Sequence, residues 1–360
     1  MSALHTRVCD LFGVQYPIVQ TGMGWVSGAR LTAATSAAGG LGILAAATMT
    51  FEQLEQQIGQ VKAATDKPFG VNMRADQPDF ERRVDLLIRE GVKVASFARA
   101  PGKAGIQKLK DAGVVTMPTV GARKHAQKVA DWGVDAVIAQ GGEGGGHTGS
   151  VPTSLLLPDV VDAVGDRIPV LGAGGFSDGR GLVAALAWGA DGIAMGTRFL
   201  LTQESTVPTV TKDAYLGTPV TGTVVTTAVD GYPQRVVRTP FIDALEQAGF
   251  LGRLLAAVRH ASQLKSLTKT SLGALLQEGR AMKANSNLTW PQVAMAANAP
   301  IYTRATLVDG RLEAGILPTG QVVGRIDELP TVAELIARIV SEAEQTLARL
   351  HPDAPRKDSA

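Results

Sequence analysis

Residues 135–149 read DAVIAQGGEGGGHTG, a short apolar run followed at once by six glycines around Glu143 and His147. The apolar run has the length of a buried strand, and a segment this rich in glycine does not suit the interior of a helix or strand. A loop of that kind lets backbone N–H groups approach a ligand closely. His147, held within it, can take or return a proton near neutral pH. A lone histidine in a solvated, flexible loop needs no such role; the strand directly in front of the loop is what favours function.

The same pattern extends to both sides. Upstream come the apolar runs PIVQ, LGIL, PFGVNM, VKVASF and VVTMP, and downstream IPVLGA and DGIAMG, each separated from the next by a helix-compatible stretch. In FEQLEQQIGQVKAAT, Phe51, Leu54, Ile58 and Val61 recur at three- and four-residue spacing, which lays them along one buried stripe. With DAVIAQ the strand candidates number eight, enough for a closed β/α barrel, although an open doubly wound sheet uses the same alternation. The glycine loops decide between them. They follow the late strands, whereas a dinucleotide-binding sheet carries its glycine fingerprint after the first. The expected fold class is therefore α/β, a TIM-like (β/α)8 barrel with an inserted, mainly helical substrate domain.

Active groups of such barrels gather at the C-terminal ends of the strands. VLGAGGFSDGRG (170–181) runs from a strand through Gly174 and Gly175 into a helix capped by Ser177 or Asp178, a turn whose N–H groups suit a phosphate. GIAMGTRFLLTQES (192–205) offers Met195, Gly196 and Thr197 as a second set after the next strand. Near the N-terminus, YPIVQTGMGW puts Gly22 and Met23 beyond the first strand, and KPFGVNMR puts Asn72 just beyond the third. Amides such as Asn72 and Gln140 can both donate and accept hydrogen bonds, as the imide and ribityl groups of a flavin require.

After Ser205 the alternation stops, and GTVVTTAVDGYP reads as irregular strands or turns ahead of several helices. TVAELIARIVSEAEQTLARL then restores an amphipathic helix suited to be the barrel's eighth, with Val332, Leu335, Ile336, Ile339, Val340, Ala343 and Leu347 on one side. The expected organisation is a barrel from 1–210 and 325–350, an inserted substrate or lid domain at 211–324, and a flexible tail at 351–360.

Composition excludes several classes. A net charge of +2 without long single-sign blocks gives no reason to expect a nucleic-acid partner. One cysteine, Cys9, forms no internal disulfide and no multi-thiolate metal site. His5, His125, His260 and His351 have no metal-ligand spacing, so no metal is expected. Neither a signal-peptide-like start nor an apolar run of membrane-spanning length is visible, which points to a cytoplasmic protein with a small-molecule substrate and no membrane partner.

These glycine segments, in this order, resemble the nitronate monooxygenase (2-nitropropane dioxygenase) family of FMN-dependent barrels, which also contains flavin-dependent enoyl-thioester reductases. The resemblance covers about residues 10–205 and more loosely the rest. It implies FMN as cofactor, with Gly22 and Met23 against the flavin ring, Asn72, Gln140 and Gly145 in contact with the flavin, and Gly174, Gly175, Met195, Gly196 and Thr197 around the phosphate. It implies His147 as the catalytic base. Many nitronate monooxygenases read Ala-Pro-Met after the first strand; here Thr21, Gly22 and Met23 precede Gly24, Trp25 and Val26, which is similar to the enoyl-thioester reductases. Gly144 replaces the alanine usual before the glycine pair, which should loosen the loop.

Within the family, the wording is most similar to the actinobacterial steroid-degradation branch acting on hydroxylated methyl-oxo-octahydroindene carboxyl-CoA. That implies an FMN-dependent oxidoreductase working at the α,β-carbons of a cyclic acyl-CoA thioester, with NAD(P)H as a candidate electron partner. Arg253, Arg259, Lys265, Lys269, Arg280 and Lys283 are candidate cations for the CoA phosphates, or simply a solvated helix face. The alternatives are oxidation of alkyl nitronates with O2 and a flavin-binding protein without catalysis. Oligomeric state is not legible.

Overall fold

In the computed structural model, which describes residues 4–248 and 299–351, the eight apolar runs are the parallel strands of one closed barrel. The strands are β1 (Ile18–Gln20), β2 (Leu41–Ala45), β3 (Phe69–Met73), β4 (Val94–Phe97), β5 (Val115–Val120) and β6 (Val137–Gln140), then, after a two-residue strand β7 (Gly146–His147) that pairs elsewhere, β8 (Val170–Ala173) and β9 (Gly192–Met195). Closure is made by β1 against β9, from Ile18↔Ile193 to Gln20↔Met195. An open doubly wound sheet would leave those two strands in different surroundings, so the pairing removes that alternative.

The barrel is filled rather than hollow. Val19, Ile43, Val94, Met117, Ile138, Leu171 and Ala194 meet inside it, and Val8 and Phe12 of the N-terminal helix Arg7–Phe12 join the same cluster. A second apolar layer lies between strands and outer helices, where Leu54, Ile58 and Val61 of the helix Phe51–Ala64 are fully buried, as their spacing requires. That helix is fixed at its start by a capping box between Thr50 and Gln53. The helix Val332–Leu350 starts with another, Thr331 with Glu334, and packs against Gly179–Ala187 and Ala29–Ala37, which makes it the barrel's last helix. Its approach to Gly179 is so close that a Cβ there would lie 2.3 Å from the backbone nitrogen of Ala343. No helix among the described residues is long and apolar enough to cross a membrane.

The chain divides into two compact units. One comprises Met1–Gly144, Thr148–Thr206 and Arg325–Ala360, and the other Gly145–His147 and Val207–Gly324. The second contains a three-stranded sheet in the order β10 (Thr223–Thr226), β11 (Gln234–Val237), β7. Its core is Val229, Val236, Ile242, Tyr302 and Ile316. Glycine content argues against any strand in the 141–149 loop, yet Gly146 and His147 are one. The reason is antiparallel pairing with β11, Gln234↔His147 and Arg235↔Gly146, with Gly146 adopting a φ of 65° that a larger residue resists. That pairing is also why residues 145–147 belong to the second unit.

Candidate active site

Parallel strands all end on one rim, so the residues following β1, β3, β6, β8 and β9 are gathered by topology alone. Around β1, the fully buried Gln20 pins down the loop that follows. Its Nε2 donates to Ser27 Oγ at 2.9 Å and to the carbonyls of Ile43, at 3.1 Å, and Thr21. Ser27 Oγ in turn accepts the N–H of Met23 at 2.9 Å and donates to the carbonyl of Thr21 at 3.0 Å. Trp25, held at a φ of 65°, donates its N–H to Thr48 Oγ1 at 3.3 Å. It is the one non-glycine residue with positive φ among those described, and such outliers concentrate at functional loops.

Gly22, Met23, Asn72 and Gly196 come together here. A Cβ at Gly22 would sit 2.4 Å from Asn72 Cβ, and one at Gly196 would sit 3.3 Å from Met23 Sδ. Asn72 lies within β3 rather than beyond it, between Ala45 and Ser96 in the ladder, and its Nδ2 donates to the buried Ser96 Oγ at 3.3 Å. The side chain of Met195 is buried, and its carbonyl accepts the N–H of Thr21 at 3.1 Å. Gly196 is the N-cap of the four-residue helix Thr197–Leu200.

A second group forms around Gln140, Gly174 and Gly175. Gly174 and Gly175 have φ of 99° and 83°, two successive left-handed residues that leave bare backbone at the turn. At Gly174 a Cβ would meet Thr153 Oγ1 at 2.9 Å and the Gly144 nitrogen at 3.1 Å. Thr153, which opens the helix Thr153–Val164, links this turn to the loop after β6: its N–H and Oγ1 both lie on Glu143 Oε2, and its Oγ1 is 3.0 Å from the Gly174 carbonyl. Gly144 lies close to the Gln140 side chain, and a Cβ there would lie 2.8 Å from Gln140 Nε2, so a larger residue would make that side chain shift. Asp178, not Ser177, caps the following helix by accepting the N–H of Gly181 at 2.9 Å.

These residues fit a phosphorylated flavin. The side-chain-free turn at Gly174–Gly175 and the single glycine at Gly196 could offer backbone N–H groups to an anion, and the amides of Asn72 and Gln140 carry both donors and acceptors. No metal-binding group of three or more His, Cys, Asp or Glu occurs among the described residues.

In the second unit, Gly145 is packed against backbone, with a Cβ there placed 2.4 Å from the Thr319 carbonyl carbon. His147 Nε2 is 2.7 Å from Asp230 Oδ2, and the edge of Tyr232 meets its ring with centroids 6.1 Å apart. From sequence alone the segment holding Asp230 reads only as irregular strands or turns, and nothing in one chain reveals that β11 brings it to His147. Gln20, Glu143 and Thr153 were missed likewise: each is a polar side chain whose importance depends on burial. The six basic residues considered for CoA lie outside the described residues.

The nitronate monooxygenase family model matches residues 5–82 and 77–342. The chain is 58% identical to a (3aS,4S,5R,7aS)-5-hydroxy-7a-methyl-1-oxo-octahydro-1H-indene-4-carboxyl-CoA dehydrogenase of Rhodococcus jostii, over 95% of this chain and 97% of that protein. It is 33% identical to a probable nitronate monooxygenase of Staphylococcus saprophyticus, over 68% of this chain and 81% of that protein. Among solved structures, FabK from Thermotoga maritima superposes with a TM-score of 0.79 at 35% identity, covering 97% of this chain and 99% of that one. Matched in this way along nearly all of its length, and folded as the barrel its glycine loops require, the chain belongs to the nitronate monooxygenase family and is a flavin-dependent oxidoreductase.

Proposed function

We propose that this protein is an FMN-dependent dehydrogenase of a bicyclic carboxyl-CoA thioester, a hydroxylated methyl-oxo-octahydroindene carboxyl-CoA of steroid ring C/D breakdown. The observation that carries the reading is the 58% identity to the Rhodococcus enzyme across 95% of the chain. The nitronate reading has weaker support, because the staphylococcal relatives match about two thirds of the chain at 33% identity.

In this reading the first unit binds and orients. The bare turn at Gly174–Gly175, with Gly196 and Thr197, would hold the phosphate of FMN, and Asn72 and Gln140 would hydrogen-bond its polar groups. Gly22 and Met23 lie against its ring. When bound, the flavin supplies the two-electron acceptor for the hydride that leaves the β-carbon. His147 removes the proton from the α-carbon, which the thioester carbonyl acidifies, so that loss of H⁺ and H⁻ leaves a carbon–carbon double bond. Remote contacts with the CoA portion favour thioesters over small nitroalkanes.

The purified protein should release FMN rather than FAD. With an artificial electron acceptor supplied, and in parallel assays without and with oxygen, kcat/KM for a steroid-derived indane carboxyl-CoA should exceed those for a simple saturated acyl-CoA and for propionate 3-nitronate. Flavin reduction by NADH or NADPH, measured separately, tests the nicotinamide partner. If the nitronate is the best substrate and oxygen the required acceptor, the thioester reading is wrong.

A further inference from the structure

Asp230 has two carboxylate oxygens with two different tasks. Oδ1 accepts the N–H of Tyr232, two residues on, at 3.1 Å, which is the ordinary Asx-turn use of an aspartate. That bond leaves Oδ2 to be explained, and Oδ2 lies 2.7 Å from His147 Nε2. The carboxylate is 7% exposed, while the imidazole it meets is 63% exposed. A buried anchor thus holds an accessible ring. The backbone fixes both ends, since His147 is paired with Gln234 on β11 and Asp230 lies in the connection that leads into that strand.

A carboxylate accepts hydrogen bonds and does not donate them, so the neutral imidazole must carry its proton on Nε2. Nδ1 is then the basic nitrogen. We propose that Asp230 is a positioning residue for His147: it selects the Nε2–H tautomer, fixes the ring plane, and stabilises the imidazolium formed when Nδ1 takes a proton. The physical argument is that of a buried aspartate orienting a catalytic histidine in hydrolases, used here for a carbon acid. The inference rests on His147 being the base of the proposed reaction, but its first test does not depend on any substrate.

That test is the tautomer of His147 in FMN-loaded protein labelled with 15N-histidine, at about pH 8.5 where an ordinary imidazole is neutral. The chain has five histidines, so the resonance is assigned by its loss in His147→Ala. Wild type should show Nε2 protonated. Asp230→Asn keeps the Oδ1 acceptor for Tyr232 and presents an amide N–H to Nε2, so it should move the proton to Nδ1. An Nδ1-protonated wild type, or an unchanged tautomer in Asp230→Asn, overturns the proposal. The second test is turnover: Asp230→Asn should lower kcat by roughly 10²-fold or more with FMN content and Tm near wild type, and should leave the residual rate of His147→Ala unchanged. An equal loss in both backgrounds would mean that Asp230 acts independently of His147, and the proposal fails. If no thioester is turned over at all, the tautomer result still decides the role of Asp230 while the functional reading falls separately.

Discussion

Thr153 and Glu143 join the loop after β6 to the turn after β8, its neighbour in the barrel. The carboxylate of Glu143 accepts both the N–H of Thr153, at 2.9 Å, and its hydroxyl, at 2.7 Å, while the same hydroxyl oxygen is 3.0 Å from the carbonyl of Gly174. The acidic residue of the glycine loop is thereby committed to the first turn of a helix, where a negative charge is favoured. It leaves the flanking glycines as bare backbone in a fixed loop.

Thr153→Val keeps the volume of this buried side chain and deletes the hydroxyl. It should lower stability by about 1–3 kcal/mol, the range for losing a hydrogen bond to a charged group, and weaken retention of FMN through the turn at Gly174. Thermal melts of apoprotein and FMN-loaded protein separate the two effects. Equal FMN affinity in variant and wild type would show that the Glu143 link is structural alone.

Gly22→Ala addresses the other half of the rim. The added Cβ would lie 2.4 Å from Asn72 Cβ and 3.3 Å from Ile43 Cγ2, so the strand β3 or the loop must shift. Overpacking of this kind costs about 1–3 kcal/mol. The loop bearing Met23 should move with it, so FMN loading should fall. Gly24→Ala is the milder control, with its nearest contact a methyl group, Thr48 Cγ2, at 3.0 Å. If Gly22→Ala binds FMN as tightly as Gly24→Ala, the loop after β1 does not touch the flavin.

The barrel was legible because each of its strands is a short apolar run separated from the next by an amphipathic stretch, and because a parallel strand buried on both faces needs no finer pattern. Leu54, Ile58 and Val61 announced their burial by spacing alone. The turn at Gly174 and Gly175 between strand and helix was legible too, and both glycines adopt the positive φ that a turn of bare backbone allows. Partnerships between distant polar side chains were not. Asp230 meets His147 across 83 positions of sequence, through a β-pairing that the glycine content of the loop argues against. The close packing of Gly145 against the backbone of Thr319, 174 positions on, and of Gly320 was not legible either.

Asp178 should make stability depend on acid pH. Burial would raise its pKa, but the bonds from Arg180 and from the Gly181 N–H, with the nearby charge of Arg325, outweigh burial and hold it below the ordinary 3.8. A carboxylate depressed in the folded state contributes stability that is present above the unfolded pKa and is lost as pH falls through the folded one. Asp178→Asn preserves the helix cap and removes the charge. The stability difference between wild type and variant should therefore shrink as pH drops from about 5 to about 2 in urea titrations. Asp178→Ala, which removes the cap as well, should cost about 1 kcal/mol more at all pH values. A wild type minus Asn difference that stays flat with pH would contradict the assignment.

His147→Ala separates binding from chemistry. The histidine is more than half exposed, so truncating it opens no buried cavity and the variant should fold, with Tm lowered only by the hydrogen bond lost to Asp230. FMN content should also be retained, because the turns assigned to the phosphate lie after β8 and β9, in the first unit. What should change is turnover, by about 10²- to 10⁴-fold in kcat at saturating thioester, as expected when a general base is removed. Gly145→Ala provides the contrast. Its Cβ would be 2.4 Å from the Thr319 carbonyl carbon and 2.5 Å from the Gly320 nitrogen, backbone atoms that cannot rotate away, so it should displace β7 and lower Tm as well as kcat. If His147→Ala turns over at near-normal rate while Gly145→Ala is inactive, the loop matters for its shape, and the base must be sought elsewhere.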